Sequence, residues 1–326
     1  MKAIIPAAGI GTRLRPHTYS VPKALLFVAG KPILAHILDD VLALGVSSIA
    51  LIVGYKGDLV ETFVRDTYPG IHFDFVYQEQ RLGIGHAVSL TNAVANSREP
   101  LLIILGDTII KTDLGRVIEA KTNVLGVKEV EDPRRFGVCE MDGERISKLV
   151  EKPTVPPSNL ALVGLYYILK PAVLFECLQE EIEKDVRTRG EYQLTDALQM
   201  MIDRGVEFRP HIIEQWFDCG NPDALLETNR HLLASVAQAP GIEGSILLPP
   251  VSIDPTAEII GSIVGPYVSI GAGSVVRNSI IRDSVLGEHV LVEHGLLERS
   301  LVGSRAVVKG HFTALNVGDS SEIVID

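Results

Sequence analysis

The stretch IIPAAGIGTRLRPHTYSVPKALL, residues 4–26, sets the reading of the whole chain. A short apolar run enters two glycines, Gly9 and Gly11, then Thr12-Arg13, and ten residues later the chain reaches Pro22-Lys23. Glycines after a strand let the backbone approach a ligand, most often a phosphate, with the following amide N–H groups as donors. A dinucleotide-binding turn needs a third glycine where Leu14 stands, and a Walker A loop needs a terminal Gly-Lys-Ser/Thr that does not follow. The loop is phosphate-facing but belongs to neither class; the plain alternative is an ordinary strand-to-helix turn.

Working outward, strand-like and helix-like segments alternate. KAIIPA reads as a buried strand. KPILAHILDDVLALG places Ile33, Leu34, Ile37, Leu38, Val41 and Leu42 at helical spacing, with Gly45 as a C-terminal cap. IALIVG, FDFVYQ and PLLIILGD read as further strands, with GDLVETFVRDTY and GHAVSLTNAVANS as helices between them. This order predicts an α/β fold with a mostly parallel, Rossmann-like sheet covered by helices. Ligands of such sheets bind beyond the carboxyl ends of the strands, where the opening loop, Gln78 and Asp107 lie.

After Pro240-Gly241 the texture changes. Apolar-Gly pairs recur at Ile270-Gly271, Leu286-Gly287, Val302-Gly303 and Val317-Gly318, with Ile253-Asp254 as an earlier member, at spacings of 15 to 17 residues. Doublets such as Val275-Val276, Leu291-Val292 and Val307-Val308 repeat between them. Short repeats of this kind predict stacked coils of a parallel β-helix. The expected domains are therefore 1–240 and 241–326, joined through an amphipathic helix near PDALLETNRHLLASVA.

Composition narrows the function. Thirty Lys and Arg against 41 Asp and Glu give a net charge of −11, which argues against nucleic acid or an anionic membrane as partner. Three scattered cysteines, Cys139, Cys177 and Cys219, suit a reducing cytoplasm, and no apolar run resembles a signal peptide or a membrane span.

Asp107, behind Gly106 at the end of a strand, is a natural ligand for Mg²⁺ on a nucleotide, because the hard ion takes one or two carboxylates plus phosphate oxygens. Asp218 in QWFDCGNPDALL is a second candidate. Both have a plainer reading as capping or turn residues. Glu151-Lys152, before a Pro-rich loop, is either a site or a solvated face. Gly164 within NLALVGLYYI and Gly137 within RFGV suggest close backbone approach, and Trp216 reads as packing. No HExxH, Cys/His cluster or GxSxG is present. A phosphate monoester nucleophile would need no general base, since its second pKa near 6 leaves it largely ionised.

The motifs PAAGIGTRLRPHT…PK, VGYKGD, LGIGHAV, LGDT, FGV, EKP, VGLYYI, GEYQLTDAL and WFDCGNPDALL resemble, in order, those of the sugar-1-phosphate nucleotidyltransferases. The resemblance covers residues 1 to about 235. The tail resembles the left-handed β-helix that many members append, as in the long glucose-1-phosphate thymidylyltransferases. The resemblance implies a cytoplasmic enzyme joining dTTP or UTP to a sugar-1-phosphate with Mg²⁺. By match, Ala8, Gly9, Gly11, Thr12, Gln78, Gly83 and Gly106 would bind the nucleotide, with Gln78 reading the base. Arg13 and Lys23 would hold the triphosphate, and Asp107 with Asp218 the metal. Gly137, Glu151, Val163 and Gly164 would line the sugar site, with Lys152 on the sugar phosphate. Val163, not Asn, before Gly164 leans towards glucose-1-phosphate over its N-acetylglucosamine counterpart. The alternatives are a mannose-1-phosphate guanylyltransferase-like enzyme, a non-catalytic regulatory subunit, and a bifunctional enzyme with acyltransferase activity in the tail. His289, His294 and His311 do not recur in register, which counts against the last of these. Solenoid ends and lateral surfaces commonly meet another copy, so a homo-oligomer through the tail is expected.

Overall fold

The opening run forms the strand Lys2–Pro6, parallel to Ser48–Val53 on one side and to Leu101–Ile104 on the other. Ser48–Val53 pairs in turn with His72–Tyr77, again in parallel. The computed structural model describes residues 1–96, 98–235 and 241–310. Ile4, Ile5, Ile49, Ile52, Leu101 and Ile103 are fully buried, as strands covered on both faces require. Helices Ile33–Leu42 and Gly57–Thr67 supply the crossovers. In the first, Ile33, Leu34, Ile37, Leu38 and Val41 face the core, and Gly45, at φ +77, lies just beyond its end.

Among the described residues the sheet has nine strands and is mixed, which refines the expectation of a mostly parallel one. Its first half is parallel. In the second, Leu160–Ile168 runs antiparallel to Leu101–Ile104, Asn123–Glu129 and Gly137–Asp142, and Gly137–Asp142 pairs antiparallel with Arg145–Glu151. Phe208–Ile212 joins Asn123–Glu129 in parallel. The long strand Leu160–Ile168 carries a bulge between Leu162 and Tyr166, where Gly164 takes φ +83. A separate two-stranded ladder pairs Thr108–Lys111 with Gln215–Asp218, setting Asp218 opposite Thr108.

Contacts divide the chain into two compact units: Met1–Leu26 with Lys31–Leu225, and Phe27–Gly30 with Leu226–Asp326. The helix Pro222–Leu233 crosses the division. Among the described residues of the second unit three parallel four-stranded ladders stack, the arrangement of a left-handed β-helix. Ile253, Ile270, Leu286 and Val302 align rung upon rung, as do Val276, Val292 and Val308. The inward members Val264, Val268, Ile270, Val276, Ile281, Leu286 and Val292 are fully buried, so each coil closes the apolar face of the next. The expected Val317-Gly318 pair, His311 and the anticipated boundary at Pro240 lie outside the described residues. Among the described residues no helix is long and apolar enough to cross a membrane.

Candidate active site

Four adjacent parallel strands, Leu101–Ile104, Lys2–Pro6, Ser48–Val53 and His72–Tyr77, end at one edge, and the segments after three of them line a cleft of about 290 Å³. Ala7 N–H donates to the Ile52 carbonyl at 2.7 Å, Gln78 N–H to Val53 at 2.8 Å and Gly106 N–H to Pro6 at 3.0 Å. These bonds fix the starts of the Ala7–Gly11 loop, the Gln78 segment and the Gly106-Asp107 turn side by side. Ala8, Gly9, Lys23, Gln78, Gly83, Gly106 and Asp107 line the cleft, as do Arg81 and Glu191, which were not anticipated.

The glycines of this cleft have separate reasons. A Cβ on Gly11, at φ +68, would lie 3.0 Å from Lys23 Cβ and 3.1 Å from Thr18 Cγ2, so packing within the protein already requires glycine there. A Cβ on Gly9 would meet nothing within 4 Å, which leaves the space above it open for a ligand. Gly106 faces the chain: its Cβ would stand 2.7 Å from the Pro6 carbonyl oxygen. Gly83, at φ +112, and Gly85 are pressed onto Tyr192 and Gln193, with Gly85 N–H donating to the Tyr192 carbonyl at 2.9 Å. The GIG of LGIGHAV is therefore the seat of the GEYQ segment that carries Glu191. Gly11 and Thr12 do not line the cleft; Thr12 is exposed at the start of the short turn Thr12–Leu14.

Gln78 is buried, and its Nε2 donates to the Gly83 carbonyl at 3.0 Å and lies 3.2 Å from His86 Nδ1. Burial lowers the His86 pKa and favours the neutral ring, which can accept that bond. The amide nitrogen is thus engaged within the protein, and the oxygen is the group left for a ligand.

Lys23 is buried, and its Nζ lies 2.7 Å from Asp107 Oδ2. Asp218 is half-buried; burial raises its pKa and the charge on Asp107 raises it further, whereas Lys23, Arg13 and Arg135 pull it down. One carboxylate and three cations therefore bear on Asp218, with Arg135 again unanticipated. Cys219 N–H donates to the Asp107 carbonyl at 3.3 Å, and a Cβ on Gly220 would come within 2.9 Å of Asp218 Oδ1, so this segment is glycine where the carboxylate needs room. Among the described residues no group of three or more His, Cys, Asp and Glu could enclose a metal. A pair of carboxylates suits Mg²⁺, whose remaining positions go to water and phosphate.

A second cluster forms where Gly137 and Glu151 face each other across an antiparallel pair. Thr195 Oγ1 donates to Glu151 Oε2 at 2.7 Å, and Lys152 Nζ lies 3.0 Å from Glu151 Oε1. Gly137 is glycine because a Cβ would sit 2.9 Å from Thr195 Oγ1 and 3.0 Å from Glu151 Oε2. Lys152 takes φ 42, with its N–H on the Phe136 carbonyl, so a strained backbone aims this side chain. Phe136 meets Trp216 edge to face at 4.8 Å, which bears out the packing reading of Trp216. Val163 is buried, and the open side of Gly164 faces Leu105 at 2.7 Å, so the bulge accounts for that glycine. Burial pushes the pKa of Tyr166 up, and the charges of Glu151 and Asp107 add to this. Thr195 and Glu191 both belong to GEYQLTDAL, the motif that could have announced them.

Residues 2–235 match the family model described as Nucleotidyl transferase. A UTP–glucose-1-phosphate uridylyltransferase, AglF, of Haloferax volcanii is 33% identical over 248 residues, covering 73% of this chain and 99% of the relative. A glucose-1-phosphate thymidylyltransferase of Streptomyces antibioticus is 32% identical over 304 residues, covering 83% of each. The chain spans 99% of the length of AglF but 55% of that of a bifunctional protein GlmU of Methanocaldococcus jannaschii. The crystal structure of a UDP-glucose pyrophosphorylase complexed with UDP-glucose superimposes with a TM-score of 0.62 at 25% identity, covering 72% of this chain and 99% of that one. With its cleft, its paired carboxylates and this match over most of its length, the chain belongs to the nucleotidyl transferase family.

Proposed function

We propose that the chain joins a pyrimidine nucleoside triphosphate, dTTP or UTP, to glucose-1-phosphate, giving a nucleotide-sugar and pyrophosphate. The observation that carries this reading is the ion pair of buried Lys23 with Asp107 at 2.7 Å, in the cleft that Gln78 also lines. A phosphate oxygen of the sugar-1-phosphate attacks the α-phosphorus of the triphosphate, and the bond to the bridging oxygen of the departing pyrophosphate breaks. No proton need be removed from a largely ionised phosphate monoester, which agrees with a site built of cations and carboxylates.

Within this reading Arg13 and Lys23 hold triphosphate oxygens and balance charge on the leaving group. The Gln78 oxygen accepts the imide N–H shared by uracil and thymine. Ala8, Gly9, Gly83 and Gly106 flank the base and ribose, with Gly11 and Thr12 shaping the loop beside them. Glu151 and the backbone at Gly137, Val163 and Gly164 receive the sugar hydroxyls, and Lys152 its phosphate. Asp107 and Asp218 would hold Mg²⁺, which supplies charge stabilisation on the transferring phosphate. The reaction is assigned to the cytoplasm, in keeping with its phosphorylated substrates and its three buried cysteines.

The same reading includes a homo-oligomer formed through the β-helix. Ile246, Ile263, Ile280 and Leu296 stand in register on one ladder, and Ile246, Ile280 and Leu296 are exposed, an outward apolar line that a second copy could cover. Light scattering of the chain against Ile280→Glu/Leu296→Glu tests this; an unchanged mass removes the ladder as the interface.

The functional test is a pyrophosphate-release panel crossing nucleoside triphosphates with sugar-1-phosphates. The expected best pair contains dTTP or UTP and glucose-1-phosphate. Preference for GTP with mannose-1-phosphate, or no release from any pair, overturns the assignment.

A further inference from the structure

The second unit contains a residue that reaches back 200 positions in sequence. Asn229, fully buried on the helix Pro222–Leu233, accepts the Ala29 backbone N–H at 3.0 Å and the Ser269 hydroxyl at 2.6 Å on the same Oδ1. Its Nδ2 donates to the Tyr267 carbonyl at 3.1 Å. The next residue, Arg230, pairs with Asp283 of the β-helix. One side chain thus ties a turn near the N-terminus to two coil residues.

That turn is unusual in a way that makes the tie matter. Ala29 takes φ 46 and Gly30 takes φ 92, two successive residues in the left-handed region. Turns of this kind favour Asn, Asp or Gly at the first position, and an alanine there persists only where its surroundings hold it. The surroundings are visible: the Ala29 N–H is spent on Asn229, and a Cβ on Gly30 would lie 2.6 Å from Ser252 Oγ.

Lys23 lies close upstream of this turn. The chain makes a short turn over Lys23–Leu25, closed by the Leu26 N–H on the Lys23 carbonyl at 3.1 Å, and Phe27 follows at once. Asp218 lies close upstream of the helix that carries Asn229; Asn221 caps that helix, its Oδ1 accepting the Ala224 N–H at 3.0 Å. Asn229 is therefore a cross-link between the segment that follows Lys23 and the helix that follows Asp218.

We propose that Asn229 is a positioning residue for the transfer reaction: it holds the Ala29-Gly30 turn left-handed and so fixes the chain on which Lys23 is carried. The proposal rests on the reading of Lys23 as a phosphate-binding cation. A reaction without a covalent protein step depends on placement, and a displacement of about 1 Å can cost on the order of a hundredfold in rate.

The test uses the full chain. Asn229→Ala should lower kcat about tenfold or more while leaving the KM for the sugar-1-phosphate near its original value, because the Glu151 cluster is untouched. Hydrogen exchange of the amides from Ala29 to Ile33 should quicken. Adding Ala29→Gly to Asn229→Ala should recover most of the lost kcat, since glycine takes positive φ unaided. Failure of that rescue, or wild-type kcat and exchange in Asn229→Ala, overturns the proposal. Should Asn229→Ala not fold, Gly30→Ala disturbs the turn while sparing the bonds from Asn229 to Tyr267 and Ser269; it should show the same fall in kcat, and an unchanged kcat overturns the proposal. A wild-type chain that releases no pyrophosphate from any substrate pair overturns the functional reading instead, and the exchange measurement still decides whether Asn229 holds the turn.

Discussion

Lys23 Nζ sits 2.7 Å from Asp107 Oδ2, joining a buried cation to a half-exposed carboxylate across 84 residues of sequence. Asp218 is brought beside them by the antiparallel ladder that sets it opposite Thr108. Removing either carboxylate's charge should remove a metal ligand without emptying the cleft. Asp107→Asn and Asp218→Asn should each lower kcat by at least about a hundredfold, since metal stabilisation of a transferring phosphate is worth several kcal/mol. Pyrophosphate release titrated against Mg²⁺ measures this. Near-normal turnover in both variants would remove the pair as the metal site.

Gln78 is held by Gly83 and His86, so its oxygen is presented in a fixed direction. Gln78→Ala should erode discrimination between pyrimidine and purine triphosphates, and should cost the fold only about 1 kcal/mol for the lost hydrogen bonding. The ratio of kcat/KM for UTP and ATP is the measurement. A ratio equal to that of the unaltered chain assigns base reading to another group.

Lys152 is aimed by its own strained backbone and paired with Glu151 at 3.0 Å. Lys152→Ala should raise the KM for the sugar-1-phosphate about tenfold or more, in line with loss of a charge-assisted contact, with a smaller effect on the KM for the triphosphate. Equal effects on both substrates would return this residue to the solvent-facing role that adjacent opposite charges usually have.

The parts of this molecule that are legible in sequence are those whose signal is local. The rungs Ile253, Ile270, Leu286 and Val302 follow from a repeat of 16 to 17 residues because each coil contacts its immediate neighbours. Asp107 and Gln78 are legible because strand ends are, and strand ends in a parallel sheet gather at one edge. The engagement of the Gln78 amide by Gly83 was hidden, since it depends on how the GIG loop docks onto Tyr192. Gly164 reads in sequence as a close backbone approach, by a ligand or another strand, but the bulge that packs it against Leu105 has no local signal. Arg81 and Arg135 carry no motif of their own. The bond from Asn229 to Ala29 spans 200 residues and leaves no periodic trace.

Glu181 supplies a prediction about stability. It is fully buried on the inner face of the helix Pro171–Glu183; its Oε1 accepts the Gln193 N–H at 2.7 Å, and its Oε2 has no partner among the described residues. Burial pushes its pKa up to about 7, the charge of Asp196 adds to this, and the Gln193 N–H opposes both. A raised carboxyl pKa means that the folded chain keeps a proton that the unfolded chain releases. The contribution of Glu181 to stability therefore falls as pH rises from the ordinary glutamate value of 4.5 to about 7, and is level above that. Glu181→Gln keeps an oxygen for the Gln193 N–H and cannot ionise. Its melting temperature should match that of the unaltered chain near pH 4.5, exceed it increasingly up to about pH 7, and keep a constant lead above, by an amount corresponding to at most about 3 kcal/mol. A difference that does not change with pH would show that Glu181 does not titrate in this window, and that the cost of its burial is met by a partner other than a proton.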